Sequence, residues 1–451
     1  MHFIMQANPE SLRFLLASGP KSGTQMAKEL GISQPTATRA LAAMGDAVIR
    51  VGSKKDSRYA LRDTSRGFAD VPVFRVDAEG KLKELGVLTP VRPDGYVFTQ
   101  ADGTPLLSDG LPWWLLDMRP QGYLGRAYAA CHGNTLGLPS TLKEWTDSHA
   151  LRALLLNGHD AVGNLLLGNT ARDQFLTTPV PEALPLHSKA AAYASLAVAA
   201  SQGESPGSSA GGEQPKFMAY AQTANGPRHV MVKFSELPES PVSQRWRDLL
   251  LAEHLALTTL RQAGVAAAES DVVDHEGQRF LEVIRFDRVG TLGRKALLSL
   301  TALDAEFVGA AREPWPVVVQ RLARQGVVTP PSVEATEVLW AFGTLMGNTD
   351  MHGGNLSFVS EQGRPYQIAP AYDMSPMAFA PNSGGKLLNA LPAPQLHASV
   401  RNDHWRTALA LACIYLQTLR ECSSLSTDFA VCVDALAAHL ENASAQIARL
   451  G

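Results

Sequence analysis

Cysteine, long apolar runs and net charge are all scarce in this 451-residue chain. The four cysteines, Cys131, Cys413, Cys422 and Cys432, form no Cys-x-x-Cys pair, which favours a protein of the reducing cytoplasm. The start, MHFIMQANPE, lacks the basic and apolar regions of a secretion signal, so none is expected. The longest largely apolar run, residues 190–200, is alanine-rich and much too short to span a membrane.

No GxxxxGK[ST] stretch occurs, which excludes the ordinary P-loop nucleotide site. The formal net charge of −3 gives no overall electrostatic signature, but the charge is unevenly placed. Residues 1–62 hold nine lysines and arginines against four acids, a net charge of +5, and the rest of the chain carries −8. This asymmetry indicates a polyanion partner for the N-terminal end alone.

The pattern of residues 8–62 predicts three helices followed by a β-hairpin. Ser22 with Gln25 makes a capping box for the second helix, and Ser33 caps a third helix. This arrangement resembles a winged helix-turn-helix, with the third helix in the major groove of DNA and the hairpin on phosphates. The candidate DNA-binding residues are Gln34, Thr36, Thr38, Arg39, Lys54, Lys55 and Arg58. The alternative is a small helical docking domain whose charges are merely solvated.

Short strands and turns dominate residues 66–150, which we interpret as a β-rich accessory subdomain without catalytic residues. After it, a glycine-rich stretch, SQGESPGSSAGGEQPK at 201–216, leads into a hairpin pattern whose turn is Asn225-Gly226. The second strand of the hairpin displays Lys233. A glycine-rich loop followed by a strand lysine is how protein kinases grip ATP phosphates.

The following helix, about 243–262, carries Glu253 on its apolar line. A carboxylate facing the core requires a cation, and Lys233 is the candidate; the alternative is that Glu253 reaches solvent. The strand QRFLEVIRFDR then suits a hinge where the edge of adenine meets the backbone from Glu282 to Ile284.

The stretch GNTDMHGGNLSFV, residues 347–359, packs an acid, an imidazole and two amides together. Phosphoryl transfer needs an acceptor for the proton of the incoming hydroxyl, which Asp350 suits. It also needs oxygen ligands for magnesium, which Asn355 and Asp373 suit, since a hairpin between them would bring both to one place. Protein kinases use the same order of residues. His352 is expected to orient Asp350 or its loop within the nucleotide site.

The motifs NTDMHGGN, APAYDMSP, IRFDR and SSAGGEQPK are similar to those of the HipA family, the kinase toxins of bacterial toxin–antitoxin modules. The resemblance covers roughly residues 70–440 and is strongest to members with a fused winged helix. It implies that Asp350 is the catalytic base, that Asn355 and Asp373 hold Mg²⁺, and that Lys233 contacts ATP. It also implies a nucleotide loop that includes Gly211, Gly212 and Lys216.

The resemblance further implies autophosphorylation of a serine seven residues before Lys216, namely Ser209, with the adjacent Ser208 as a rival. Family members rely on a separate DNA-binding antitoxin, and the resemblance suggests a translation component such as an aminoacyl-tRNA synthetase as the protein substrate.

The sequence therefore predicts a multidomain α+β protein, a cytoplasmic ATP- and magnesium-dependent serine/threonine kinase. Its expected parts are a winged helix-turn-helix (1–65), a β-rich subdomain (66–150), a mixed α/β kinase N-lobe (151–285) and an all-helical C-lobe (286–451). Two alternatives remain open: a DNA-binding regulator whose kinase fold only senses ATP, and a metal-dependent nuclease using Asp350, His352 and Asp373.

Overall fold

The computed structural model describes residues 9–52, 56–202, 214–361 and 363–450. The N-terminal unit, residues 9–62, has the element order α1 (Pro9–Ala17), β1 (Lys21–Ser22), α2 (Gly23–Leu30), α3 (Gln34–Ala43), β2 (Val48–Val51) and β3 (Arg58–Leu61). The strands form one antiparallel sheet in the order β1-β3-β2.

Local sequence determines where these helices begin and end. Ser22 and Gln25 form the predicted capping box of α2, which ends at Gly31 in the left-handed conformation (φ 65°). Ser33 caps α3 by accepting a hydrogen bond from the N–H of Thr36. The apolar faces of the helices meet in a small core that includes Leu12 and Leu41.

The middle unit, residues 71–177, is built on a five-stranded antiparallel sheet with the strand order β7-β6-β5-β4-β8. Its elements are β4 (Val71–Val76), β5 (Leu82–Val91), β6 (Gly95–Gln100), β7 (Pro105–Ser108), α4 (Gly122–His132), α5 (Asp147–Asn157), β8 (Leu165–Leu167) and α6 (Gly168–Thr177). The boundary expected at residue 150 falls inside α5, and β8, the last strand of this sheet, lies beyond it.

Apolar contacts tie the N-terminal unit to the middle unit. Ala60 of β3 packs with Val91 and Val97 of the middle sheet, and Ile49 of β2 lies against the same cluster. A short 3-10 helix, Trp113–Met118, extends the middle unit toward the rest of the chain. Both of its tryptophans, Trp113 and Trp114, are partly buried against aromatic rings.

The next part, which we call the sheet lobe (residues 186–284), contains α7 (Leu186–Ser201), β9 (Lys216–Thr223), β10 (Gly226–Phe234), α8 (Pro241–Gln262), β11 (Ser270–His275) and β12 (Gln278–Ile284). Its antiparallel sheet has the order β11-β12-β10-β9. The predicted hairpin is present, with Gly226 at φ 88° supplying the turn. Phe217, Val230 and Val232 turn inward against α7, which leaves Lys216 and Lys233 on the opposite face.

The helical lobe, residues 288–447, contains β13 (Arg288–Val289), β14 (Gly293–Arg294), β15 (Ala296–Ser299), α9 (Leu300–Phe307), α10 (Trp315–Arg324), α11 (Pro330–Met346), β16 (Ser357–Ser360), β17 (Gln367–Ile368), α12 (Asn402–Glu421) and α13 (Ala430–Ile447). The prediction of an all-helical C-lobe is wrong, because β15, β16 and β17 form a small antiparallel sheet. Phe358 of β16 is fully buried in the main core, so these strands bury apolar surface as the helices do.

Helices α10, α11, α12 and α13 pack around this core, with Phe342 and Tyr415 in edge-to-face contact. Within the described residues, we find no helix with both the length and the apolar character that a membrane crossing requires.

Candidate active site

A buried ion pair lies where the sheet lobe meets the helical lobe. Lys233 Nζ on β10 donates to both carboxylate oxygens of Glu253 on α8, at 2.7 and 2.8 Å. The two side chains are only 4% and 1% exposed. Burial raises the pKa of Glu253 despite the attraction of Lys233. Burial alone would lower the pKa of Lys233, but the charges of Asp373 and Glu253 raise it.

Asp373 reaches the same lysine from the helical lobe. Its carboxylate contacts Lys233 Nζ, and its backbone adopts the left-handed conformation (φ 53°), which is costly for a residue other than glycine. Burial would raise the pKa of Asp373, but the nearby charges of Lys233 and Lys216 lower it. Lys216 lies directly opposite Lys233 in the hairpin. The ammonium groups of these lysines and the carboxylates of Glu253 and Asp373 therefore form one charged cluster.

The loop after α11 brings Asp350 and Asn355 alongside. The helix ends at Gly347 (φ 81°), and Asn348 then bonds in two directions. Asn348 Oδ1 accepts from the N–H of Asp350 at 2.9 Å, and its Nδ2 donates to the carbonyl of Asp373 at 3.1 Å. Asn355 Nδ2 donates to the carbonyl of Asp350 at 2.9 Å. The loop is therefore held by its own amides, while the side chain of Asp350 remains 53% exposed.

His352 has the contacts expected of a residue that shapes the loop. Its Nδ1 accepts a hydrogen bond from the N–H of Gly354 at 3.0 Å, and its carbonyl accepts one from Trp315 Nε1 at 3.0 Å. Its Nε2 lies 3.8 Å from Asp350 Oδ1. The ring thus stands beside Asp350 and anchors the turn that leads to Asn355.

Two cavities meet at the charged residues around Lys233. The first, of about 360 Å³, is lined by apolar residues from both lobes, such as Met231 and Leu297, and by the segment from Val283 to Asp287. The second, of about 370 Å³, contains Asp350 and the segment 214–216. Both cavities are lined by Lys216, Lys233, Glu253, Asn355 and Asp373. This group therefore forms the boundary between two adjacent binding spaces.

A cluster of buried charged residues after β12 connects the middle unit to the segment that lines the first cavity. Asp287 accepts from Arg285 Nη2 at 2.9 Å, from Arg288 Nη1 at 2.7 Å and from the N–H of Gly163 at 3.1 Å. Burial would raise the pKa of Asp287, but the two arginines hold it well below its usual range. Asp160 pairs with Arg288 at 2.8 Å, which ties residues 160–163 of the middle unit to the hinge.

The two hinge residues named from the sequence lie two positions apart on β12, so their side chains share the face of the sheet that meets α7. Ile284 packs against that cluster and also lines the first cavity. The side chain of Glu282 accepts from Lys189 Nζ of α7 at 3.0 Å and from the hydroxyl of Tyr193. In β12 the side chains alternate, so Glu282 and the cleft lie on opposite faces of the sheet. The structure does not bring this carboxylate together with Lys233.

Other predicted residues lie apart from the cleft or beyond the described ranges. Gln34, Thr38, Arg39 and Arg58 are exposed on the N-terminal unit. Thr36 is half-buried, and its hydroxyl is hydrogen-bonded to that of Ser33 at 2.8 Å. The following predicted residues lie outside the described part of the chain: Lys54, Lys55, Ser208, Ser209, Gly211 and Gly212.

Sequence reasoning missed three contributors to this region. Asn348 bridges the loop with its amide, and an asparagine directly after a helix-ending glycine is a local signal for such a bridge. The Lys189–Glu282 pair joins residues 93 positions apart, and no local pattern indicates it. Asp117 lines the first cavity from the middle unit, and only the assembled fold places it there.

The donor set at the boundary fits a hard cation. Asn355 uses its amide nitrogen within the loop, so its amide oxygen is the atom suited to a cation, and Asp373 adds a carboxylate. Oxygen ligands of this kind are the ones that Mg²⁺ prefers. Within the ranges that the structure covers, no group of three or more His, Cys, Asp or Glu side chains is placed to hold a metal ion.

Comparison with solved structures gives two matches at low sequence identity. HipA of Shewanella oneidensis MR-1, solved with HipB and its operator DNA, has a TM-score of 0.49 at 16% identity and covers 84% of this chain and 97% of its own. The Helicobacter pylori proinflammatory kinase CtkA has a TM-score of 0.35 at 14% identity and covers 52% of this chain and 88% of its own.

Sequence comparisons are more specific. The family model described as a YjjJ-like toxin middle domain matches residues 68–176, and the one described as a HipA-like C-terminal domain matches residues 208–444. The curated protein Toxin YjjJ of Escherichia coli (strain K12) is 41% identical over 439 residues, which cover 97% of this chain and 98% of that protein. The chain belongs to the HipA-like family and, within it, to the YjjJ-like toxins.

Proposed function

We propose that this protein is a toxin kinase that transfers the γ-phosphoryl group of ATP to a serine or threonine hydroxyl of a protein. The observation that carries the proposal is the boundary between the two cavities. Lys233, Asn355 and Asp373 line both spaces, whereas Asp350 lines the second alone. ATP in the first cavity and a hydroxyl in the second would meet at these side chains.

The residues of the chain supply what phosphoryl transfer requires, which is mainly positioning and electrostatics. Lys233, held by Glu253, presents its charge to the phosphates. Asn355 and Asp373 would hold Mg²⁺, which supplies positive charge to the phosphate oxygens when bound. Asp350 accepts the proton of the attacking hydroxyl, and its exposed carboxylate leaves it accessible to a protein substrate.

The finer parts of the proposal rest on family resemblance. The protein substrate would be a translation component, such as an aminoacyl-tRNA synthetase, and an antitoxin would be a partner of the toxin. Ser208 or Ser209 would be the autophosphorylated residue. The four cysteines are all free thiols, in keeping with the proposed cytoplasmic location.

Transfer of labelled phosphate from Mg-ATP to protein tests the proposal. The wild type should label serine or threonine, whereas Asp373→Asn should not, because the proposed cation site loses its carboxylate. The matched control is Asp403→Asn, which changes an acid on α12 that is 89% exposed and lines neither cavity. Equal labelling by wild type and Asp373→Asn would contradict the proposal.

We further propose that the N-terminal unit is a winged helix-turn-helix that binds DNA. Support comes from the exposed Gln34, Thr38 and Arg39 on one helix, the order of helices and strands, and the positive charge of residues 1–62. The unit would bind duplex DNA with an affinity that falls steeply as salt rises.

Replacing Arg39 or Arg58 with alanine tests this second proposal. Each change should weaken DNA binding and, where a phosphate contact is lost, reduce the slope of log K against log salt by about one. Arg406→Ala on α12 is the control, since this exposed arginine lies outside the unit. Binding that is insensitive to salt, or equal losses in all three variants, would contradict a DNA-binding role.

A further inference from the structure

The middle unit contributes to the wall of the first cavity, although the predicted nucleotide residues all lie in the two lobes. Leu116, Asp117 and Gln121 reach it from the short helix Trp113–Met118 and the residues just after it, and Val162 reaches it from the loop before β8. Val162 packs with Met218, Met231 and Leu297, so the apolar part of the cavity is closed by three separate parts of the chain.

Asp117 is the charged group that the middle unit adds to this wall. Its Oδ2 accepts a hydrogen bond from the backbone N–H of Ser299, at the start of α9, at 2.6 Å. A carboxylate has two oxygens and about four acceptor positions, so one N–H leaves further capacity to accept. Asp117 therefore holds the start of α9 through one hydrogen bond, and its carboxylate can still accept a hydrogen bond from a ligand in the cavity.

The carboxylate of Asp117 is largely removed from water, so leaving it without hydrogen-bond donors would destabilise its charged form. Desolvation raises the pKa of Asp117, and the hydrogen bonds from Ser299 oppose that rise only in part. Its neighbourhood in the cavity is mostly apolar, with Leu116, Val162 and Leu297 on the same wall. A half-buried acid of this kind, lining a cleft, is a candidate functional residue.

We infer that Asp117 is a nucleotide-binding residue supplied by the middle unit, whose carboxylate accepts a hydrogen bond from a donor group of the nucleoside. Two nucleoside groups have that chemistry: a ribose hydroxyl and the exocyclic amine of adenine. The inference rests on the proposed function, because it assumes that the first cavity receives ATP. If Asp117 binds the nucleoside, the middle unit is part of the nucleotide site. Selection of the nucleotide then depends on the middle unit as well as on the sheet lobe and the helical lobe.

Nucleotide binding by the full-length protein tests this inference. Asp117→Asn keeps an oxygen for the N–H of Ser299 but places an amide donor where an acceptor stood. ATP should bind this variant about 10- to 100-fold more weakly, as for the loss of one hydrogen bond to a charged group. The matched control is Asp147→Asn, because Asp147 anchors the same segment through Leu111 N–H (2.9 Å) and Arg119 (2.7 Å) without lining the cavity. It should bind ATP as the wild type does.

Nucleotide analogues identify the donor and keep the test independent of how well the variant folds. The wild type should bind one of 2′-deoxy-ATP, 3′-deoxy-ATP or inosine triphosphate about as weakly as Asp117→Asn binds ATP. The deoxy forms identify a ribose hydroxyl, and inosine triphosphate identifies the amine. Asp117→Asn should no longer distinguish that analogue from ATP.

Four results would overturn the inference, and they are distinguishable. If the wild type binds ATP and all three analogues equally, no donor is recognised and the inference is wrong while the kinase proposal stands. The same holds if Asp117→Asn binds ATP normally, or if Asp117→Asn and Asp147→Asn weaken every nucleotide equally, which would indicate a purely structural role. If the wild type binds no nucleotide at all, the proposed function itself fails.

Discussion

Replacing Lys233 with methionine should destabilise the protein strongly, and the size of the effect follows from the ion pair. Methionine is close to lysine in length and apolar along its stem, so the main loss is the charge. The change removes the cation from between Glu253 and Asp373, whose carboxylates both contact Nζ in the wild type. Glu253, only 1% exposed, then loses the lysine that pairs with it.

Breaking a buried ion pair by removing one partner costs about 3–5 kcal/mol. Lys216 still lowers the pKa of both carboxylates through its charge, so we expect the lower end of this range, about 3 kcal/mol at neutral pH. That loss corresponds to roughly a hundredfold change in the folding equilibrium.

The loss should depend on pH, with a defined sign. Without Lys233, the pKa of Glu253 rises further, because burial and the charge of Asp373 remain. A group whose pKa is higher in the folded state stabilises that state below its unfolded pKa and loses the contribution as the pH rises through the folded value. The deficit relative to wild type should therefore shrink as the pH is lowered from neutral toward the unfolded pKa of a glutamate.

Urea denaturation across this pH range measures the deficit. The double variant Lys233→Met/Glu253→Gln is the sharpest control, since it also removes the buried carboxylate and should be more stable than Lys233→Met alone. A loss below about 1 kcal/mol, a loss that does not vary with pH, or a double variant less stable than the single one would refute the reasoning.

Two further variants separate chemistry from stability. Asp350→Asn should lower the phosphorylation rate by roughly 10²- to 10⁴-fold, as for loss of a general base, with unchanged thermal unfolding because Asp350 is exposed; an unchanged rate in steady-state assays would reject the assignment. Asp287→Asn should cost about 3–5 kcal/mol in urea denaturation, because Arg285 and Arg288 lose their shared buried carboxylate, whereas Asp403→Asn at the surface should cost under about 1 kcal/mol. Equal costs for these two changes would contradict the role given to the buried cluster.

Local signals in the sequence were enough to predict several parts of the fold. Ser22, Gln25 and Gly31 predict the bounds of α2, because capping depends on residues within one turn. The Asn225-Gly226 turn predicts the hairpin that carries Lys233, and the lone acid on the apolar line of α8 predicts the partner of this lysine. In each case, the prediction depends only on residues close together in the sequence or on one charged residue in an apolar pattern.

Features that depend on distant contacts were not predictable in this way. Strand β15 pairs with β16 although three helices separate the two strands in the sequence, and β15 is too short for its own pattern to be distinctive. The sequence predicts a hinge along the backbone from Glu282 to Ile284, but the orientation of the Glu282 side chain depends on Lys189 and Tyr193 in a helix far back in the chain. The contribution of Asp117 to the cavity depends on how the middle unit docks, which no local pattern encodes.

Mass spectrometry of the purified protein incubated with Mg-ATP, alone and with bacterial lysate, tests the central claim most directly. The proposed kinase predicts phosphate on Ser208 or Ser209, or on a lysate protein, that disappears in Asp350→Asn and persists in Asp403→Asn. Unconsumed ATP and no phosphate on any protein would contradict it, as would phosphate that persists in Asp350→Asn.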